Sequence, residues 1–342
     1  MHNSELSFSQ IANILFDEDA SYGDILLATR AYKELLYLAT EFNEDLSEAG
    51  SDSFTTSGKV IAAKWAGKCV DDYLRTKRFC LGLLKAVQFK KTQSKAKVHI
   101  LYAGTGPFAA LALPLITKFS PEEIAFSFLE LNNYSFQILE KTIIHFNIQE
   151  YIHAVEQCDA TNYVVPNPDE IDILLTETMT HGLKSEHQVA ISYRILSQLS
   201  EEAILIPKEI QLNLLAVNED IRDANQKSFD TPRPYFDRLG NLFTLNADEI
   251  RKHQKFFNAE FPNITFSERE IMIPTNVNSK FHHISVETQI EIFDDQRLET
   301  DESGLTSLLK LTDLNQMLSH ISTIVGVYVC GDMPGLQCRL KN

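Results

Sequence analysis

The chain changes hydrophobic period twice along its length. Over residues 1–48, Ile11, Ile14, Leu15, Ile25, Leu26, Ala28, Tyr32, Leu35, Leu36 and Leu38 recur at intervals that place them on one face of a helix. Residues 49–58 (Ala-Gly-Ser-Asp-Ser-Phe-Thr-Thr-Ser-Gly) are polar and glycine-bearing and read as a loop. A second helical stretch, residues 60–89, carries Trp65, Cys69, Leu74, Phe79, Leu83 and Val87.

From residue 97 short apolar runs take over. Val98-His-Ile-Leu-Tyr-Ala103 ends in Gly104-Thr-Gly106-Pro, and Ile124-Ala-Phe-Ser-Phe-Leu129 is closed by Glu130. Further strands are expected at 152–156, ending before Cys158-Asp159, at 171–176, and at Ala203-Ile-Leu-Ile206 before Pro207. Helices are expected between them: one after the glycines, with Phe108, Leu111, Leu115 and Ile116, then one over 132–147 and one over 185–199. Strands alternating with helices imply a parallel sheet covered on both faces. After Pro207 the pattern turns to long alternating runs, Ile210–217 and His283–293, with another strand signal within 322–340. The last third therefore reads as a mostly antiparallel β domain, with 220–258 as a helical or irregular insertion.

Composition narrows the function. The 342 residues suffice for two domains, or one domain with an extension. A formal net charge of −16 argues against nucleic acid as partner, since a phosphate backbone needs a basic footprint. It is compatible with a cationic substrate. The five cysteines, Cys69, Cys80, Cys158, Cys330 and Cys338, form no CxxC pair, which points away from a disulfide framework and towards a reducing compartment. The first residues, Met-His-Asn-Ser-Glu, lack signal-peptide character, and no apolar run is long enough to cross a bilayer, so a cytoplasmic location is expected.

Candidate chemistry sits at the strand ends. Glycines between a strand and a helix let the backbone approach a ligand and turn N–H groups toward it. Gly104, Thr105 and Gly106 supply such a loop, with Ala109 where a dinucleotide fingerprint would place a third glycine. Glu130, 26 positions after Gly104, is placed to bond ribose hydroxyls, and Asp159 is placed near an adenine. Read alone, these fit a nicotinamide dinucleotide or S-adenosylmethionine about equally. Glu177 ends the 171–176 run, and Glu186 follows nine residues later beyond Gly182. Two carboxylates there can grip a planar cation. The plainer readings are a strand terminus for Glu177 and a first-turn helix residue for Glu186. His181 and His187 flank Glu186 and could orient the carboxylates or accept a proton; the plainer reading is loop residues. No metal-ligand pattern stands out: the side chains of His282 and His283 diverge on a strand, as do those of Asp71 and Asp72 on a helix.

Asp72-Tyr-Leu-Arg75-Thr76-Lys-Arg-Phe79 resembles the Asp-x-x-Arg-Thr-x-x-aromatic motif of the protein arginine methyltransferase family. The glycine loop with Glu130, the Glu177–Glu186 pair with Met179 between, and the 199–207 stretch running into 214–220 match the same family in the same order. The resemblance covers residues 65–220. It implies a class I S-adenosylmethionine-dependent methyltransferase: a Rossmann-like α/β domain with N-terminal helices and a C-terminal, barrel-like, mostly antiparallel domain. The boundaries are set at 1–58, 59–207 and 208–342. It implies S-adenosylmethionine as cofactor, bound by Arg75, Gly104, Thr105, Gly106, Glu130 and Asp159, with Arg75 pairing the methionine carboxylate. Glu177 and Glu186 are the implied catalytic residues. They would hold a guanidino group, in a free metabolite or a peptide, so that one nitrogen attacks the methyl. A hydroxyl, carbon or amine acceptor, or a non-catalytic scaffold, stays open. The first 50 residues are assigned either to covering the pocket or to a homodimer interface. The sequence departs from the family at Tyr102 (usually an acid), Phe108 (usually glycine) and Thr178 (often tryptophan). The family's threonine-histidine-tryptophan loop is not visible; Ser303-Gly-Leu-Thr306 falls in that region.

Overall fold

The computed structural model describes residues 6–50, 52–93, 97–227, 231–260, 263–275, 277–316 and 322–341. Residues 1–5, read above for signal-peptide character, lie outside the described residues. So do position 51 of the expected 49–58 loop and positions 228–230 of the expected insertion.

The N-terminal periodicity resolves into helices Phe8–Phe16 and Tyr22–Thr40. Ser7 opens the first with a reciprocal capping box to Gln10, and the Ser21 side chain accepts the Asp24 N–H to open the second. Their buried faces, including Ile11, Leu15, Tyr32 and Leu36, pack against the helix Tyr73–Thr92. Residues 53–60 are not a loop but an antiparallel hairpin, Ser53–Thr55 with Gly58–Val60. Long-range contacts hold it: the Lys59 N–H donates to Ser185 O at 2.6 Å, beyond the reach of local sequence signals.

Five strands form the parallel sheet: β1 (Val98–Ala103), β2 (Ile124–Glu130), β3 (Ile152–Gln157), β4 (Ile173–Thr176) and β5 (Ile204–Ile206). Their order is β3-β2-β1-β4-β5, so the sheet reverses direction of growth between β1 and β4. Ala103 is paired with Leu129 on one side and Thr176 on the other. Every residue of β1, β2 and β4 is buried, which is why each reads as an unbroken apolar run. The carboxyl ends of strands at such a reversal form a crevice that binds ligands in open α/β sheets.

The helix expected after the glycine loop is absent. Turns lead instead to a short 3-10 helix, Leu113–Thr117. Ala109 adopts φ +45°, which breaks a right-handed helix, and Pro114 brings no N–H to the turn that follows. Tertiary contacts replace the missing helix. Phe108 packs against Tyr37 and Phe42, with ring centroids 5.6 and 5.3 Å away, and Tyr32 donates to Ala110 O at 2.9 Å. The N-terminal helices therefore buttress the segment that follows the loop.

Beyond β5, one five-stranded antiparallel sheet has Glu209–Val217 flanked by His283–Phe293 and Phe236–Asn246. A four-stranded sheet is built around Thr323–Cys330 and Gly335–Lys341. The 220–258 reading needs correction. Helices Glu219–Lys227 and Ala247–Glu260 are there, but the strand Phe236–Asn246 lies between them. Two register shifts interrupt its pairing, which spoils its alternation. Gly240 sits where an added Cβ would lie 3.0 Å from Ile271 Cδ1, so packing requires a residue that weakens the strand signal. A contiguous apolar core runs through the helices and all three larger sheets.

Candidate active site

A cavity of about 930 Å³ opens over the carboxyl ends of β1 to β4. It is lined by all eight residues singled out above: Arg75, Gly104, Thr105, Gly106, Glu130, Asp159, Glu177 and Glu186. They come from a helix, four strand ends and a loop spread over more than a hundred residues of sequence.

The glycine loop works differently from the expectation. The Gly104 and Thr105 N–H groups both donate to Leu129 O, at 2.9 and 3.3 Å, and the Gly106 N–H donates to Glu130 Oε2 at 2.7 Å. No helix N-terminus stands behind them, so the loop offers room rather than free donors. That room is real. Gly104 and Gly106 have φ +77° and +62°, and a Cβ on Gly104 would lie 2.2 Å from Thr178 Cγ2. Glu130, buried at the end of β2, also accepts the Asn132 N–H at 2.8 Å through Oε1. The Leu131 N–H and the Thr105 side chain also act on this carboxylate. Burial raises its pKa above the ordinary carboxyl value, although these backbone donors oppose the shift. Asp159 lines the cavity, but its carboxylate is engaged by its own turn: Oδ1 accepts from Thr161 N and Oγ1 at 2.9 and 2.7 Å.

Arg75 lies in the first turn of Tyr73–Thr92. Asp72 caps that helix by accepting the Arg75 N–H at 3.2 Å through Oδ1, while Oδ2 accepts Ser303 Oγ–H at 2.6 Å and Gly304 N–H at 2.9 Å. The 303–306 segment thus reaches from the C-terminal region to the helix that bears Arg75. The guanidinium donates through Nη1 to Cys69 O at 2.8 Å and through Nη2 to Glu177 Oε2. Both side chains of the Arg75–Glu177 pair are buried. The Arg75 Nε atom is buried without a hydrogen-bond partner, an unmet donor on a residue that lines the cavity.

Glu186 differs from Glu177. It is 8% exposed, and no hydrogen bond or ion pair reaches its carboxylate among the described residues. Burial pushes its pKa to about 7, and the opposing fields of Lys59 and Arg75 only partly offset this. Lys59 itself is paired with Asp52 at 2.8 Å.

The 177–186 loop is strained and externally held. Gly182, Leu183 and Ser185 all have positive φ. The C-terminal sheets fix it: Gly182 N–H donates to Thr288 Oγ1 at 2.6 Å, Tyr328 Oη–H to Leu183 O at 2.8 Å, and Ser185 N–H to Pro334 O at 2.7 Å. Gln188 ties the loop's base, taking the Thr178 N–H at 2.9 Å and donating to Thr176 O at 3.1 Å. His187 lines the cavity and meets Thr55 Oγ1 of the hairpin at 2.7 Å; burial lowers its pKa. His181 does not line the cavity. Sequence reasoning missed the hairpin wall and Lys59; it named His187 beside Glu186 and Tyr102 as a departure from the family, and both line the cavity. The only local hint was Gly58, whose φ is +139° and where a Cβ would lie 2.8 Å from Ser185 O.

The fold is that of the class I methyltransferases whose Rossmann-like domain is joined to an antiparallel β domain. Among solved structures, the chain is similar to one described as PRMT6 with SAH, at 9% identity and a TM-score of 0.51, over 80% of this chain and 98% of that one. It also aligns with the Trypanosoma brucei PRMT1 enzyme–prozyme heterotetrameric complex with AdoHcy, at 10% identity and a TM-score of 0.47, over 80% and 97% of the two chains. No protein-family model and no curated protein matches the sequence. Structural similarity to PRMT-family class I methyltransferases therefore accompanies distant sequence. Among the described residues, no helix is long and apolar enough to cross a membrane, and all five cysteines are free.

Proposed function

We propose that the chain is an S-adenosylmethionine-dependent methyltransferase acting on a guanidino nitrogen. The observation that carries this reading is the Arg75–Glu177 pair with its unmet Nε donor, beside an unpartnered Glu186 in the same cavity. S-adenosylmethionine supplies a sulfonium-activated methyl group. Arg75 offers Nε–H and its remaining Nη donors to the donor's carboxylate, a planar fork suited to that shape. Glu130, at the end of β2 beside the glycine loop, takes the ribose hydroxyls. Asp159 is the weakest assignment, because its turn already uses the carboxylate.

Charge supports a monocationic acceptor. Arg75 balances Glu177 and Lys59 balances Asp52, so Glu186 carries the net charge left at the acceptor end. A guanidinium would neutralise it. Glu177 and Glu186 together would then localise positive charge on the nitrogens they bind, leaving the third to attack. Alignment supplies much of the catalysis, since well-oriented reactants gain several kcal/mol. We assign residues 1–58 to buttressing the donor side, 59–207 to the donor domain and 208–342 to holding the glutamate loop, in a cytoplasmic protein.

Calorimetry with S-adenosylhomocysteine, then mass spectrometry on a panel of guanidino compounds and arginine peptides, tests the reading. Glu186→Gln should abolish turnover and leave donor affinity within about threefold, because Glu186 has no link to Arg75 beyond its field. Tight NAD binding without S-adenosylhomocysteine binding would overturn the reading. Methylation confined to hydroxyl or carbon acceptors would replace the guanidino assignment.

A further inference from the structure

At the amino ends of the parallel strands, away from the donor cavity, three potential ligands converge. His99 is the second residue of β1, His153 the second of β3, and Glu170 ends the short turn Pro168–Glu170 that leads into β4. One donor atom from each lies within 4.8 Å of the others. We propose that His99, His153 and Glu170 bind one divalent transition metal of the zinc class.

The sheet explains how residues 54 and 17 positions apart come together. β2 runs between β1 and β3, and it presents Ala125 and Ser127 where larger side chains would separate the two rings. His99 is paired with Ala125, and Ser127 with Ala154. The imidazole centroids are consequently 4.6 Å apart, inclined at 57°. The site is also pre-organised. His99 Nε2 and Ser127 Oγ are 2.8 Å apart, so an Nε2–H donated to Ser127 leaves the Nδ1 lone pair free for the metal. Metal-ligating histidines characteristically donate their second ring N–H to such a neighbour. Asp172 braces Glu170's segment against β1, its Oδ2 accepting the His99 N–H at 3.0 Å and its own N–H donating to His99 O at 2.9 Å.

Two imidazoles and a carboxylate form a donor set that suits zinc, with water completing the four-coordinate shell. Imidazole donors favour zinc, nickel or copper over magnesium or calcium. The three ligands line an open cleft of about 820 Å³ that also holds Lys97, Asp169 and Asp172, so nearby acids outnumber the one cation. A bound metal would join β1, β3 and the approach to β4 at an end that side-chain packing leaves open to solvent.

Chelator-treated full-length protein, titrated with zinc chloride by calorimetry, tests the site. One ion per chain is expected, with a raised melting temperature, and magnesium should give no heat. The exposed ligands His153 and Glu170 permit variants that keep the core. His153→Ala and Glu170→Gln should each weaken zinc binding by roughly tenfold or more, the scale on which metal sites respond to loss of supporting groups. S-adenosylhomocysteine affinity serves as the independent check that both variants are folded. Cobalt substitution should give the intense visible band of a tetrahedral N,O site in wild type and lose it in His153→Ala. No zinc uptake by wild type, or uptake unchanged in both variants, would overturn the proposal.

Discussion

Arg75 and Glu177 form a buried ion pair between the helix that precedes the sheet and the end of its fourth strand. The arginine lines the cavity; its Nη2 meets the glutamate, while its Nε has no protein partner. Separating such a pair leaves a lone buried charge, which typically costs about 3–5 kcal/mol, whereas replacing both partners with apolar groups costs far less. Arg75→Ala and Glu177→Ala should each lower unfolding free energy on that scale in urea titrations. The double variant Arg75→Met/Glu177→Leu should be more stable than either. All three should lose S-adenosylhomocysteine affinity, except that Glu177→Ala retains part of it. If the single-variant losses simply add in the double variant, the pair is not coupled.

Glu186 makes the protein's pH response directional. Its pKa in the fold, about 7, lies above its ordinary 4.5, so the folded chain holds this proton more tightly than the unfolded one. The stabilisation is complete below the unfolded value and is lost as pH rises through the folded one, a fall on the order of 3 kcal/mol from this group. Stability measured across that window should decline less in Glu186→Gln than in wild type. Catalysis should run the other way, with kcat/KM for a cationic acceptor rising through about pH 7 as the carboxylate ionises. A flat wild-type stability difference from Glu186→Gln would remove the assigned shift.

Gly104→Ala places a methyl group against Thr178 and forces a side chain onto φ +77°. Overpacking and left-handed strain together should cost about 2–4 kcal/mol and block the donor site. Thr178→Ser removes the clashing methyl. The double variant should regain part of the stability but not all, because the backbone strain persists; full recovery would show that sterics alone fix the glycine.

Asp72 joins the helix cap to the 303–306 segment through three hydrogen bonds. Asp72→Ala should cost about 2–3 kcal/mol and weaken S-adenosylhomocysteine binding, because Arg75 loses its place in the first turn. Ser303→Ala removes two bonds, the one to Asp72 and the cap on the Leu305 N–H, should cost about 1–2 kcal/mol and should spare donor binding. Equal donor affinity in both variants would detach the cap from the site.

Much of this fold could be read locally because its signals are local. The all-buried β1, β2 and β4 appear as apolar runs, and their ends place Gly104, Glu130 and Glu177 at one crevice once a parallel sheet is assumed. The motif around Arg75 added the helix, and the structure brings that arginine to the same cavity. Where the reading failed, distant contacts had overridden local preference. Ala109's backbone and the packing of Phe108 on Tyr37 and Phe42 replaced an expected helix with turns. Ser185 drew residues 58–60 into a hairpin that walls the cavity. Ile271 required Gly240 within a strand that consequently looked irregular.

The sequence by itself determined the succession of buried strands, the residue types at their ends and the acidic balance, because hydrophobic period and chain reversal are encoded residue by residue. Only the tertiary structure decided which donors stay free: the loop N–H groups go to Leu129 and Glu130, Arg75 goes to Glu177, and Glu186 is left alone. It alone brought His99, His153 and Glu170 within a metal's reach. Hydrogen-bond partners and ionisation depend on distance and solvent exclusion in three dimensions, and neither quantity exists until the chain has packed.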